Sequence, residues 1–212
     1  VRSGSSWRNG ENNMRIGILS VQGAFIEHKQ MLEAIAEKYE EPLECIELRQ
    51  KKDLASLDGL VLPGGESTVQ GKLIRELGFF DSLQTLIGNG LPVLATCAGL
   101  ILLAQELEND PVKPLATLPV TVQRNAYGRQ LGSFTIRSDV GDIKDYPLVF
   151  IRAPYITKVS PEVKILAAVD QHIVGVEYKN QIGLAFHPEM TKDTRIHEYF
   201  IEKIRLTCHQ EN

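Results

Sequence analysis

Hydrophobic positions divide the chain into two regimes. In the first half, short aliphatic runs alternate with stretches of helical period. Residues 15–21 read as a strand closed by Gln22 and Gly23. Over 24–39, Phe25, Ile26, Met31, Leu32, Ile35 and Ala36 recur near helical spacing with Glu, Lys and Gln between them, which predicts a helix. Strands are expected at 43–48 and at 59–62, the second stopped by Pro63, Gly64 and Gly65. Two helical patterns, 67–77 and 79–87, lead into a buried strand at 91–95 and a helix over 99–107. Strands alternating with helices in this way predict a parallel sheet covered on both faces.

Beyond position 118 the pattern changes to short strands and turns: 120–123, 133–137, 148–151, 163–168, 173–178 and 181–186. Positions 178–182 suit a hairpin connection. A last helix over about 193–206 turns Ile196, Tyr199, Phe200, Ile201 and Ile204 inward. The expected fold is a three-layer α/β/α sandwich with a mixed, mostly parallel sheet and an antiparallel extension. It occupies residues 14–212 as one domain. Residues 1–13 are polar and aperiodic and read as a leader or an expression-tag remnant outside the fold.

Composition narrows the function. Lys plus Arg number 23 against 27 Asp plus Glu, a formal charge of −4, with no long basic cluster to neutralise phosphates. Nucleic acid is therefore not expected as a partner. The most apolar stretch, 91–104, is interrupted by Pro92, Thr96 and Gly99, so no membrane span is expected either. Three cysteines cannot all pair, and a reducing, cytoplasmic location follows as the expectation. Cys45 falls in a predicted strand and is expected in the core; Cys208 is expected in a tail past the last helix.

Three segments could carry chemistry. In the first, a buried strand runs into Cys97, followed by Ala98, Gly99 and an apolar helix. Such a turn lifts the thiol above the carboxyl ends of the strands, at a helix N-terminus that favours thiolate. It also aims the Ala98 N–H toward an oxyanion, as in a nucleophile elbow. A small buried cysteine is the bland alternative. In the second, His187 and Glu189 flank Pro188, 90 residues after Cys97. Pro188 argues for extended chain, which puts both side chains on one face, the carboxylate holding one ring nitrogen and the thiol meeting the other. His28, His172, His197 and His209 have no such partner and are expected on the solvated surface. In the third, Gly64 and Gly65 follow a strand and precede Glu66 and Ser67. This is no phosphate loop, since it lacks the lysine and carries Glu66; it suits a backbone amide donor to an anionic intermediate.

The segments Val21–Ala24, Pro63–Thr68, Thr96–Gly99, Gln123–Gln130, Phe150–Pro154 and Phe186–Glu189 run in family order across nearly the whole body of the chain. In them the sequence resembles the triad class of glutamine amidotransferases, which implies a flavodoxin-like fold. More closely, it is similar to the glutaminase subunits of pyridoxal 5′-phosphate synthase. The resemblance implies hydrolysis of L-glutamine to glutamate and ammonia by a Cys97–His187–Glu189 triad, with Gly65 and Ala98 as oxyanion donors. It further implies a glutamine site of Gly65, Glu66, Ser67, Arg124, Ile151 and Arg152. No cofactor or metal is implied. The implied partner is a (β/α)₈-barrel synthase subunit, oligomeric and decorated by glutaminase subunits, whose docking switches the glutaminase on through Gln22 and Gly64.

Other readings differ in testable ways. A redox sensor or chaperone of the same architecture would use Cys97 but not the His187–Glu189 pair. A catalytically dead binding subunit would survive loss of Cys97. A glutaminase serving another biosynthetic synthase would keep the whole triad.

Overall fold

In a computed structural model the described residues are 13–125 and 132–209, with side chains to 207. The polar leader, the 126–130 part of the family segment, and the side chains of Cys208 and His209 lie outside them. The first half folds as β1 (Met14–Leu19), α1 (Phe25–Tyr39), β2 (Leu43–Leu48), β3 (Gly59–Leu62), α2 (Ser67–Glu76), α3 (Phe80–Gly88), β4 (Val93–Thr96) and α4 (Ala98–Leu103). The second half adds β5 (Ala104–Leu107), β6 (Leu118–Gln123), β7 (Ser133–Val140), β8 (Ile143–Ile151), β9 (Tyr155–Val159), β10 (Lys164–Val169), β11 (His172–Tyr178), β12 (Gln181–Leu184) and α5 (Arg195–His209).

The main sheet is ordered β2-β1-β3-β4-β12-β11-β9-β6-β5, with β10 beside β11; β7 and β8 form a separate hairpin. From β2 to β12 every pairing is parallel. From β12 to β6 the pairings are antiparallel. This is the mixed, mostly parallel α/β sheet that the sequence predicts. The strands β3, β4 and β12 are buried along their whole lengths, as a sheet covered on both faces requires. α1 packs against α5, and α2 against α4. One continuous cluster of buried aliphatic and aromatic side chains joins these layers.

The chain passes from β1 outward to β2, then returns to place β3 on the other side of β1. Loops leaving β1 and β3 therefore diverge, and the crevice between them at the strand carboxyl ends is where open α/β sheets bind ligands. The turns after β1, β3, β4 and β12 carry Gln22, Gly64, Cys97 and His187 respectively. Four neighbouring strands thus deliver four sequence-distant segments to one edge.

Gly99 is what lets α4 sit this close to the sheet. A Cβ there would lie 2.0 Å from the Leu62 carbonyl oxygen. That obstacle is backbone, so no rotamer change relieves it. Gly99→Ala is expected to destabilise the protein by about 3 kcal/mol or more, the upper part of the range for overpacking. At this chain length the loss corresponds to a fall in Tm of roughly 6–12 °C. A melting temperature within about 2 °C of wild type would contradict the close approach.

The structure departs from the sequence-based expectations at several elements. The helix expected over 99–107 ends at Leu103, and Ala104–Leu107 becomes a strand paired in parallel with β6. A run that is apolar on every side carries no period, so its length alone suggested continuous helix. The strand β9 had no counterpart in the sequence reading. α5 continues to His209, so position 208 is helical and not in a tail. Cys45 lies in β2, half-buried against the core, as expected.

Candidate active site

Cys97 sits between β4 and α4 with φ 48° and ψ −101°. This left-handed backbone costs a non-glycine residue on the order of 1–3 kcal/mol and persists only where its surroundings enforce it. Here the enforcement is visible. The Cys97 N–H donates to the Leu184 carbonyl of β12 at 2.7 Å, and its own carbonyl accepts from Ile101 at 3.2 Å. The turn projects Sγ toward the Ile151 carbonyl at 3.9 Å, with the residue 6% exposed.

His187 leaves β12 and is pinned by its N–H donating to the Val149 carbonyl of β8 at 2.8 Å. Its Nδ1 meets Glu189 Oε1 at 2.7 Å, both side chains essentially buried. The pair is not in extended chain, as Pro188 suggested. Pro188–Met190 forms a single 3₁₀ turn with the proline at its first position, where a missing N–H costs nothing. The consequence for chemistry is the same: the carboxylate orients the ring from one side. The other nitrogen, Nε2, is buried without a hydrogen bond of ordinary geometry among the described residues, on the side of the ring away from Glu189.

Charge follows this arrangement. Burial opposes a charged His187, but the facing Cys97 and the bonded Glu189 carboxylate outweigh it, pushing the imidazole up to about 10. The bond to Glu189 is the fixed part of that effect, being short and already formed. Burial also opposes the Glu189 carboxylate, yet the facing histidines hold it below the usual range, so it stays ionised. Cys45 is the contrast: burial, with Glu33 beside it, pushes that thiol up to about 12 and leaves it inert.

The glycine loop closes the third side. A Cβ on Gly64 would stand 2.4 Å from His187 Cε1, so only glycine lets the loop lie against the ring. The Gly64 carbonyl accepts from the Ala24 N–H at 3.0 Å. In a trans peptide the next N–H, that of Gly65, then points the opposite way, away from Ala24. Gln22 braces the loop by accepting from the Glu66 N–H at 2.9 Å. Two residues missed in the sequence reading complete the brace. Gln70 Nε2, fully buried, donates to the carbonyls of Gln22 and Pro63 at 3.0 and 3.2 Å. Thr96 Oγ1 accepts the Gly64 N–H at 3.1 Å.

Cys97, His187 and the glycine loop border a cavity of about 670 Å³, with Gln70 and Thr96 behind them. Of the residues singled out from sequence, Gln22, Gly64, Gly65, Glu66, Ser67, Cys97, Arg124, Ile151, Arg152 and His187 all border it. Glu189 lies behind His187, and Ala98 is buried in the first turn of α4. The two arginines are not equivalent. Arg124 is already held by Asp110 and by Thr68 Oγ1. Arg152 is exposed, with a left-handed φ of 45°, and has no ion pair among the described residues.

Two histidines expected on the surface are in fact wholly buried. His28 Nδ1 meets His197 Nε2 at 2.9 Å between α1 and α5. A signal existed: His28 shares its helical face with Leu32 and Ile35, and His197 shares one with Ile201 and Ile204. Reading histidine as polar hid it. His172 is half-buried and stacks on Tyr155, with ring centroids 4.2 Å apart.

A model of the SNO glutamine amidotransferase family matches residues 18–206, nearly the whole described chain. The chain belongs to that family. A protein of Desulfitobacterium hafniense described as pyridoxal 5′-phosphate synthase subunit PdxT is 58% identical over 192 residues, covering 90% of this chain and 94% of its own length. A protein of Methanocorpusculum labreanum with the same description is 50% identical over 195 residues, covering 92% of this chain and all of its own. A solved structure described as a glutamine amidotransferase superposes with a TM-score of 0.82 at 38% identity, covering 90% of this chain and 98% of that one. The α/β architecture is thus that of a glutamine amidotransferase. No helix among the described residues is long and apolar enough to cross a membrane.

Proposed function

We propose that this chain hydrolyses L-glutamine to L-glutamate and ammonia, and delivers the ammonia to a pyridoxal 5′-phosphate synthase subunit. The observation that carries the reading is the His187 ring, held by Glu189 on one nitrogen and facing Cys97, at the wall of the cavity. The similarity to synthase subunits along nearly their full lengths supports the choice of partner.

The reaction follows from these groups. His187, raised to about 10, takes the thiol proton and keeps it at neutral pH, so the sulfur attacks with that proton already on the imidazole. The sulfur adds to the carboxamide carbon, and the negative charge moves to the oxygen. The N–H groups of Gly65 and Ala98 receive that oxyanion; losing one such donor typically costs roughly 3–4 kcal/mol of transition-state stabilisation. As the intermediate collapses, the carbon–nitrogen bond breaks, and the imidazolium returns its proton to the departing ammonia. A γ-glutamyl thioester remains on Cys97. The neutral imidazole then deprotonates a water, which attacks the thioester and releases glutamate and the thiol. Glu189 keeps the ring in the tautomer that exposes Nε2 as base.

Glu66, Ser67 and Ile151 form the walls against which the glutamine lies. Arg152, uncommitted and at the cavity rim, supplies a guanidinium for the α-carboxylate, and the Glu66 carboxylate complements the α-ammonium. Arg124, tied to Asp110, shapes the cavity and adds positive potential. The partner is a (β/α)₈-barrel subunit, and its docking acts at Gln22 and Gly64, whose loop sets the direction of the Gly65 N–H.

Glutamate release is measured with and without the purified synthase subunit. The rate is expected to rise at least tenfold on addition. Equal rates would overturn the partner-gated part of the reading, and no release in either case would overturn the glutaminase.

A further inference from the structure

The triad carboxylate is bonded on one side only. Glu189 Oε1 is occupied by His187, whereas Oε2, equally buried, has no hydrogen bond of ordinary geometry among the described residues. A buried ionised oxygen without a donor is costly, so the group that faces it matters. That group is His28. Its Nε2 stands 3.4 Å from Glu189 Oε2 and 3.1 Å from Thr96 Oγ1, with both the ring and the carboxylate fully buried.

Hydrogen-bond accounting assigns the protons on this pair of rings. If His28 carries its proton on Nε2, that N–H donates to Thr96 Oγ1 and presents its positive end beside Glu189 Oε2, 3.4 Å away. Nδ1 then accepts from His197 Nε2–H, 2.9 Å away. On the two rings, the atom left without a partner among the described residues is His197 Nδ1, a bare lone pair. In the opposite tautomers the Thr96 hydroxyl would donate to His28 Nε2, but that lone pair would stand beside a carboxylate oxygen and an unpaired His197 N–H would be buried. The first arrangement makes the same number of hydrogen bonds but avoids facing lone pairs at Glu189 and leaves His197 with an unpaired acceptor in place of an unpaired donor. Burial and its neighbours keep both rings uncharged: His28 is lowered by burial against the opposing pull of Glu189, and His197 is lowered further by burial and by His28. The charged groups acting on His28 are Glu189, His187 and, on its own helix, Glu27.

We propose that His28 is a positioning residue for the triad: its Nε2–H holds Glu189 Oε2, fixes the rotation of the carboxylate, and so fixes the His187 ring. His197 sets the tautomer that makes this possible. Through Thr96 Oγ1, which also accepts the Gly64 N–H, the same contact ties the carboxylate to the glycine loop. α1 therefore meets the site twice, by the Ala24 N–H on the Gly64 carbonyl and by His28 on Glu189. The inference rests on the triad reading given above.

The test compares His28→Leu with His28→Gln in the complex with the synthase subunit. Glutamine offers an N–H close to the position of the histidine Nε2; leucine fills the space with no donor. His28→Leu is expected to lower kcat for glutamate release by 10- to 100-fold with KM changed less than threefold. His28→Gln is expected to recover most of that loss. Placed on a Glu189→Gln background, His28→Leu should cost less than threefold more, because it acts through the carboxylate. The pH profile of Cys97 alkylation by iodoacetamide, read on the chain without its partner, should shift in His28→Leu and return in His28→Gln.

A folded His28→Leu with kcat within twofold of wild type would overturn the proposal, as would equal losses in the leucine and glutamine variants or full additivity with Glu189→Gln. If His28→Leu does not fold, His28→Asn takes its place; it keeps polarity but falls short of Oε2, and must show the same loss. Failure of the triad itself reads differently: Cys97→Ala would then retain turnover, whatever the His28 variants do.

Discussion

Cys97→Ala is expected to lower glutamate release in the synthase complex by about 10⁴-fold or more, with the fold intact. The expectation follows from the role of the residue. Removing the nucleophile of a triad leaves only binding and oxyanion stabilisation, and typical losses are of that order or larger. Alanine also suits the site sterically. The neighbouring Ala98 and Gly99 are buried against β3, and a smaller side chain at 97 asks for no rearrangement. The strained backbone at φ 48° is imposed by the Leu184 and Ile101 hydrogen bonds, which the substitution leaves in place. Far-UV circular dichroism and Tm should therefore match wild type while turnover disappears. Retained turnover would revive the reading of a subunit that binds without catalysing.

Glu189→Gln should cost roughly 10³–10⁴-fold in kcat, the scale known for neutralising the carboxylate of a triad. The amide nearly matches the carboxylate in shape, so packing is preserved. Its N–H, however, donates to Nδ1 of His187 and forces the proton onto Nε2, where the base must be free. The substitution also removes the negative charge that supports the imidazolium. In wild type His187 is raised from an unfolded value near 6.5 to about 10. Its contribution to stability is thus fully present below about 6.5 and is lost as pH rises through about 10. In Glu189→Gln the folded-state value falls, and this loss moves to lower pH. Urea melts across pH 6–11 check the direction; a profile identical to wild type would contradict the contact between Nδ1 and Oε1.

How much of this was legible in the sequence depends on the kind of signal. The parallel half of the fold was plain up to β4, because β3 and β4 are short aliphatic strands bounded by Pro or Gly, whereas the local pattern of β12 shows its hairpin with β11 and not its parallel pairing with β4. Cys97 and His187 were each legible at the end of a buried strand; the parallel pairing of β4 with β12 is what brings them together. Glu189 was legible as a partner of His187 but not in its local form, since a proline that forbids a long helix still opens a 3₁₀ turn. The break at Ala104 was hidden by an apolar run with no period. The Val149 carbonyl that anchors His187 belongs to a hairpin that packs from outside the main sheet, and no local pattern announces that contact. The His28–His197 pair joins helices 169 positions apart and was obscured because histidine was counted with the polar face. Arg124 and Arg152 looked alike as sequence, and only the position of Asp110 separates them.

The redox-sensor alternative loses its ground in the same details. A thiol poised for oxidation needs no imidazole fixed by a buried carboxylate, and none of its functions would require a glycine at 64 so that a loop can lie on that imidazole. What distinguishes the two chemistries is the covalent species formed on the sulfur. Rapid acid quenching of the synthase complex during turnover of glutamine, followed by peptide mass spectrometry, reads that species directly. The account predicts a γ-glutamyl adduct on the peptide that contains Cys97, absent without glutamine. Turnover with no adduct on that peptide, or with the adduct on another residue, would contradict it.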